Sequence, residues 1–188
     1  MVLMSLNKAH QQRLLDLAKA SIQYGLQTGK SLKINLADYP AELTESRASF
    51  VTLYINRELR GCIGVVEAIR PLAEDTAENA FSAAFKDSRF SPLDAGEFKG
   101  LEIHLSILTP AEPISFTSEQ DLISQLQPGI DGLILQEGHR RRTFLPSVWE
   151  TLPKPEQFLR HLKQKAGLPP DYWSDKIRMY RYHTEMIG

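Results

Sequence analysis

Leu59-Arg60-Gly61-Cys62-Ile63-Gly64 is the stretch that decides the fold, together with the pattern just before it. The preceding residues, Ser49–Ile55, read SFVTLYI and are mostly β-branched or aromatic, which is typical of a strand. Residues 56–58 are typical of a turn, so the hexapeptide is predicted to begin the returning strand. The sequence therefore predicts a β-hairpin whose second strand carries a cysteine between two glycines.

The returning strand is predicted to have one apolar face and one face that carries chemistry. Successive side chains of a strand point to opposite faces. The set that would enter a core is Leu59, Gly61, Ile63 and Val65. The opposite set places the guanidinium of Arg60 beside the thiol of Cys62, with Gly64 next to them.

Cys62 has two interpretations at this point. A nearby cation favours the thiolate, which is the nucleophilic and oxidisable form of cysteine. The flanking glycines lack side chains, so a ligand or a second backbone can approach closely. Against this, a free cysteine in a strand commonly serves as a small buried apolar residue. The pattern alone does not decide between a reactive thiol and a structural one.

Composition narrows the class of protein. The 188 residues suffice for one domain, and 22 Lys and Arg against 23 Asp and Glu give a net charge of −1. No overall positive field is available to hold a nucleic acid, so nucleic-acid binding is not expected. A single cysteine excludes internal disulfides and cysteine-rich zinc sites. Without an apolar run long enough for a signal peptide or a membrane span, we expect a cytoplasmic protein.

The rest of the chain alternates helix and strand patterns. A first helix is predicted to begin at Ser5 or Asn7 and to end near Gly29, with an apolar stripe. Helices are also predicted to begin at Pro71, at the capping box of residues 117–120 and at Pro155, and the first of these is rich in alanine. Strands are predicted at residues 101–108, 133–135, 140–145 and 176–182. Hairpins interleaved with helices favour a mixed α+β fold.

Several ordered blocks of this sequence resemble the AMMECR family, whose prokaryotic members are also called AmmeMemoRadiSam system protein A. The blocks are residues 50–53, 59–64, 79–80, 83–85, 87–92, 106–110, 129–133, 144–148 and 165–168. The resemblance covers about residues 50–185. We expect the first helix to belong to the same domain, which would then span residues 1–188.

The resemblance implies a fold and a set of partners. The fold would be two-lobed, with a mostly antiparallel sheet flanked by helices and two lobes that share a core. Arg60, Gly61 and Cys62 would line a groove between the lobes. The resemblance also implies an association with a Memo-like protein and a radical-SAM protein. It does not imply a reaction.

The candidate catalytic residues are Cys62, Arg60, Asp87 and Arg89. Cys62 would be the nucleophile or redox thiol, and Arg60 would favour its thiolate. Asp87 and Arg89 could orient a polar ligand, but an ion pair that fixes the end of a helix explains them equally well. Gly61, Gly64 and Phe90 are the further residues assigned to the groove.

His104 is the weakest candidate. The strand Leu101–Leu108 alternates, which leaves His104 on its polar side, where the imidazole could act as a base for Cys62. The resembling family more often has an acidic residue at this position. A catalytic role for His104 therefore rests only on its place on the polar side.

The sequence offers no metal signature and no cofactor motif. The five histidines are scattered, and no glycine-rich phosphate loop is present. The run Arg140-Arg141-Arg142 could contact phosphate or RNA, although a solvated hairpin face is the simpler interpretation.

Three hypotheses for function follow. The first is an accessory or active-site component of an AmmeMemoRadiSam-type system. The second is a free-standing enzyme that uses Cys62, and the third is a module that binds RNA or nucleotides. The sequence does not decide whether the protein is an enzyme.

Overall fold

The structure is a computed structural model that describes residues 5–188 in two compact units. One unit extends to Thr109 and includes Glu185–Gly188, and the other is Pro110–Thr184. Residues 1–4, part of the basis for expecting no signal peptide, lie outside the described range. Within that range no helix combines the length and apolar character needed to cross a membrane.

The described chain contains helices and two four-stranded sheets. The α-helices are α1 (Lys8–Thr28), α2 (Ala41–Thr44), α3 (Leu72–Phe85), α4 (Ala95–Phe98), α5 (Glu119–Gln125) and α6 (Pro155–Lys165). Leu36–Asp38 and Pro146–Glu150 are short 3₁₀ helices. The strands are β1 (Ser49–Ile55), β2 (Glu58–Gly64), β3 (Leu101–Leu108), β4 (Glu112–Pro113), β5 (Gly132–Glu137), β6 (Arg140–Phe144), β7 (Arg178–Tyr182) and β8 (Thr184–Ile187). The α+β fold with antiparallel pairing is confirmed.

Helix α1 begins and ends where its sequence predicts. The Asn7 side chain accepts a hydrogen bond from the backbone N–H of His10 at 2.8 Å, which caps the first turn. Gly29 ends the helix in the left-handed region, at φ 70°. The predicted stripe is buried in the hydrophobic core of the same unit, where α1 packs on α3 and on β3, and its buried members are Leu14, Leu17, Ala18 and Ile22.

The predicted hairpin is confirmed, but its register contains an irregularity. Asn56 and Arg57 both have positive φ, at 52° and 67°, as a tight two-residue turn requires. Further along, Leu53 lies opposite Gly61 but Tyr54 lies opposite Leu59, so Arg60 has no partner on β1. This β-bulge interrupts the alternation of side chains along β2.

The bulge and the end of the strand change which residues face the core. Gly61 is buried and Ile63 packs against the core, as predicted. Leu59 lies on the far side of the bulge and is 40% exposed. Val65 follows the end of β2 and is also exposed. The prediction that Leu59 and Val65 face the core is therefore wrong.

The first sheet has the strand order β2-β1-β3-β8, with β2 at one edge. Alanine-rich α3 packs on β1 and β2. At the start of the helix, the buried Asp75 carboxylate accepts hydrogen bonds from the Ser49 backbone N–H at 2.9 Å and hydroxyl at 2.6 Å. Pro71 was predicted to be the first helical residue, but it is the N-cap, and the helix begins one residue later at Leu72.

The second unit has its own sheet, in the order β4-β7-β5-β6, and its own buried cluster. Trp149 stacks on Phe158 with ring centroids 3.8 Å apart, and both are buried. Tyr172 and Trp173 pack against the same cluster and are half-buried. Each unit thus has its own cluster of buried apolar residues.

Candidate functional site

The candidate site lies on the face of the first sheet that is turned away from the packed helices. Cys62 on β2, Thr52 on β1 and His104 on β3 are directly opposed across the three strands. Directly opposed residues of neighbouring antiparallel strands place their side chains on the same face. The Cys62 Sγ lies 3.1 Å from the Thr52 Oγ1, and either atom can donate the hydrogen bond.

His104 is separated from the thiol by a whole strand. Thr52 stands between the two side chains, so the imidazole is not in hydrogen-bond reach of the Cys62 Sγ. The His104 ring instead packs edge-on against Tyr54, with centroids 5.2 Å apart. Its Nε2 lies 4.0 Å from the Glu102 Oε2 at the protein surface. The geometry does not make His104 a base for Cys62.

Asp87 connects the segment after α3 to the edge strand. Its Oδ2 accepts a hydrogen bond from the backbone N–H of Cys62 at 2.9 Å. Arg89 donates from Nη2 to the same Oδ2 at 2.7 Å and from Nε to Oδ1 at 3.0 Å. The carboxylate is buried at the edge of the sheet and is held from two sides.

The charges of this pair stabilise each other. The Arg89 guanidinium lowers the pKa of the Asp87 carboxyl well below its usual range. Burial acts in the opposite direction, and the N–H of Cys62 adds a further lowering contribution. The Asp87 carboxylate in turn raises the pKa of Arg89. The site therefore holds a fixed ion pair at neutral pH.

Arg89 keeps one side of its guanidinium accessible. Its side chain is 53% exposed, and its Nη2 lies 3.5 Å from the Cys62 carbonyl oxygen. The guanidinium also lies over the Phe90 ring, 5.4 Å from the centroid. Within residues 5–188, Nη1 has no hydrogen-bond acceptor. This nitrogen can donate a hydrogen bond to a carboxylate or a phosphate of a ligand.

Arg60 is only 12% exposed at its side chain and is bound to the segment that leads into β3. It forms a bidentate salt bridge with Glu97, in which Nε donates to Oε1 at 2.9 Å and Nη2 donates to Oε2 at 3.1 Å. Nη2 also donates to the Ser91 carbonyl at 2.8 Å. The hydrogen bonds with Glu97 raise the pKa of Arg60 and lower that of Glu97.

Glu97 holds Arg60 as part of a capping box. Its carboxylate accepts from the backbone N–H of Asp94 at 3.0 Å, while Asp94 accepts from the Glu97 N–H at 2.9 Å. Arg60 also lies over the Phe90 ring, 5.7 Å from its centroid. These contacts make Arg60 an anchor for the segment that leads into β3.

The two glycines beside Cys62 accommodate packing. A Cβ atom on Gly61 would lie 2.2 Å from the carbonyl oxygen of Ala83 on α3. A Cβ atom on Gly64 would lie 2.4 Å from both the Phe50 ring and the Ser49 carbonyl oxygen. Of the two interpretations of these glycines, the close approach of a second backbone fits Gly61. Neither glycine opens onto empty space for a ligand.

The arginine run of the second unit has local partners. Arg140 donates from Nη1 to the Gly167 carbonyl at 2.7 Å and so caps the end of α6. The Arg141 Nη1 donates to the Gln136 side chain at 2.6 Å. These contacts fit the hairpin interpretation of the run.

Two further observations concern residues that the sequence did not single out. Thr52 contacts Cys62 and Glu97 binds Arg60, yet neither Thr52 nor Glu97 belongs to the hexapeptide. The two-residue turn alone would place Val51 opposite Cys62, and the β-bulge at Arg60 is what brings Thr52 there. Among the described residues, no group of three or more His, Cys, Asp or Glu side chains is arranged to hold a metal ion.

Comparisons with known proteins give one consistent result. The AMMECR1 family model matches residues 15–187. Protein MJ0810 of Methanocaldococcus jannaschii is 40% identical over 163 residues, which are 82% of this chain and 79% of that protein. Protein MK0488 of Methanopyrus kandleri is 39% identical over 183 residues, covering 93% of this chain and 86% of that protein.

A solved structure agrees with the sequence matches. The crystal structure of protein PH0010 from Pyrococcus horikoshii is similar with a TM-score of 0.87 and 34% sequence identity. The similarity covers 96% of this chain and 92% of that one. The fold described above is therefore also that of this archaeal relative.

Proposed function

The chain belongs to the AMMECR1 family, and from that premise we propose that it is an accessory component of an AmmeMemoRadiSam-type system. In this role it presents the edge of β2 to a partner protein, and Cys62 and Arg89 form the contact surface. The partner is a Memo-like or a radical-SAM protein, and the complex acts in the cytoplasm. The resemblance supplies the partners, and the geometry of the edge supports the contact surface.

One observation carries this proposal: the charged groups around Cys62 are engaged in holding the backbone. Asp87 binds the Cys62 N–H, Arg89 binds Asp87, and Arg60 binds Glu97 and the Ser91 carbonyl. The Cys62 thiol is hydrogen-bonded to the Thr52 hydroxyl, and a hydroxyl is a poor general base. A rigid, well-supported surface suits recognition better than it suits activation of a nucleophile.

The contact surface has a defined chemistry. The open Nη1 of Arg89 can donate to a carboxylate on the partner, and the Asp87 pair fixes the direction of that donor. Cys62 beside it adds a small, half-exposed side chain that allows the partner to approach closely. A partner would fit this edge if it placed an acidic group at Arg89 and a small apolar surface against Cys62.

The test is direct binding between purified proteins. The full chain is mixed with the Memo-like and the radical-SAM proteins of the same organism, and affinity is measured by calorimetry. We expect one of them to bind, and we expect Arg89→Gln to weaken binding by about tenfold or more. Arg57→Gln, on the exposed turn at the far end of the hairpin, is the matched control and should bind normally. No complex with either protein would contradict the proposal.

A second candidate is an enzyme that uses the Cys62 thiolate. The 3.1 Å contact favours it, because the Thr52 hydroxyl can donate a hydrogen bond to a thiolate and stabilise it. In this case Cys62→Ser abolishes the activity of the assembled system, whereas the accessory role predicts a largely active Cys62→Ser protein. The same variant therefore separates the two candidates.

A further inference from the structure

A cavity lies in the first unit, between the loop that follows α1 and one face of α3. Its volume is about 660 Å³, which is within the range of small-molecule sites. None of the candidate residues on the β2 edge lines it. The cavity is therefore separate from the surface proposed above.

The cavity has an apolar base. Phe81 of α3 is almost fully buried, and Leu32 and Ile34 of the loop are half-buried and pack against the hydrophobic core of the unit. Gly29 and Ser31 give the loop its polar edge. An apolar group of a ligand could pack on this base without leaving a buried polar atom unpaired.

Helix α3 contributes two carboxylates to the cavity. Glu74 and Glu78 are one helical turn apart, so their side chains lie on the same face of the helix. Both are half-buried, and neither forms an ion pair within residues 5–188. Like charges at this spacing destabilise a helix. A cationic group bound between them would offset that cost.

The loop contributes the opposite charge. Lys30 and Lys33 line the same cavity, and neither forms an ion pair with any described carboxylate. Lys86 lies at the end of α3 with its ammonium 5.3 Å from the centre of the Phe81 ring. Arg70 is already held by Asp75 at 2.7 Å. The lysines and the glutamates therefore line one cavity without neutralising each other.

From this arrangement we infer that the cavity binds a zwitterion with an apolar side chain, namely an amino acid or a short peptide. Its ammonium group lies between Glu74 and Glu78, and its carboxylate lies at Lys30 and Lys33. Its side chain packs on Phe81. A ligand with a single charge would pair either with the two glutamates of α3 or with the two lysines of the loop, but not with both.

The test uses the dipeptide leucyl-phenylalanine and two blocked analogues, one N-acetylated and one C-amidated. Binding to the full ¹⁵N-labelled chain is followed from the NMR signals of the amides between Gly29 and Ile34. We expect saturable shifts with the free dipeptide at millimolar concentration. Each blocked analogue should bind more weakly, by about threefold to tenfold.

Paired variants assign each end of the ligand. The E74Q/E78Q protein should no longer distinguish the free dipeptide from its N-acetylated form. The K30Q/K33Q protein should no longer distinguish the free dipeptide from its C-amidated form. Glu150→Gln, in the other unit, is the control and should keep both preferences. The inference is overturned if these amides show no saturable shift, or if either blocked analogue binds the unmodified protein as tightly as the free dipeptide.

Discussion

The Asp87 carboxylate lies 2.9 Å from the backbone nitrogen of Cys62, where a neighbouring strand would otherwise supply an acceptor. Strand β2 is at the edge of its sheet, and edge strands leave unpaired backbone groups that invite aggregation. Asp87 satisfies the N–H of Cys62, and Arg89 reaches toward its carbonyl at 3.5 Å. Two side chains thus close the edge of the sheet at the cysteine.

Replacing Asp87 should destabilise the protein. In Asp87→Ala the Cys62 N–H and the Arg89 guanidinium both lose their acceptor, and we expect a loss of about 1–3 kcal/mol in the free energy of unfolding. Chemical denaturation measures this loss. Asp171→Ala, at an exposed position of the second unit, is the matched control and should change stability by less than about 0.5 kcal/mol. Equal effects of the two substitutions would show that the edge contact contributes nothing.

The same ion pair predicts a dependence of stability on pH. Arg89 lowers the pKa of Asp87 in the folded state, so the folded protein binds the proton less readily than the unfolded chain. The contribution is fully present above the unfolded pKa of about 3.9 and is lost as the pH falls below that value. We therefore expect the stability difference between the unmodified protein and Asp87→Asn to be smaller at roughly pH 3 than at about pH 5. A constant difference over this range would contradict the assignment.

Gly61→Ala tests the close contact between β2 and α3. The added methyl group would meet the Ala83 carbonyl oxygen at 2.2 Å, and backbone atoms cannot move aside cheaply. We expect a destabilisation of about 1–3 kcal/mol, measured as a shift of the denaturation midpoint. Gly100→Ala is the control, since nothing lies within 4 Å of a Cβ atom there. If both variants unfold at the same midpoint, Gly61 is not needed for this packing.

The hairpin turn offers a stabilising substitution. Arg57 has φ 67°, in the left-handed region that glycine adopts without strain. We therefore expect Arg57→Gly to raise the free energy of unfolding by about 0.5–1 kcal/mol. Arg57→Ala keeps the strain and should give no such gain. A destabilised Arg57→Gly protein would mean that the Arg57 side chain itself supports the turn.

The sequence predicted the regular elements well, because their signals are local. The Ser49–Ile55 strand, the start of α1 at Asn7 and the alternating β3 all follow from short-range patterns. The slim, alanine-rich face of α3 was also visible, and it explains how Ala83 can contact Gly61. Strand β8 and the helix Pro146–Glu150 were not predicted.

The arrangement of the site could be predicted only in part, because it depends on contacts between distant residues. The bulge at Arg60 follows from the pairing of β1 with β2, and strict alternation cannot show it. The partner of Arg60, Glu97, is 37 positions away along the chain and has no local signal. The separation of His104 from Cys62 likewise required the register of three strands.

The most direct test of the accessory role is protection of Cys62 from alkylation by its partner. The chain has one cysteine, so the rate of modification by iodoacetamide reports this position alone. We predict that saturation with the Memo-like or the radical-SAM protein that binds the chain slows alkylation of Cys62 by about tenfold or more, because the partner covers the β2 edge. An unchanged alkylation rate in the saturated complex would contradict the account, since the partner would then bind elsewhere.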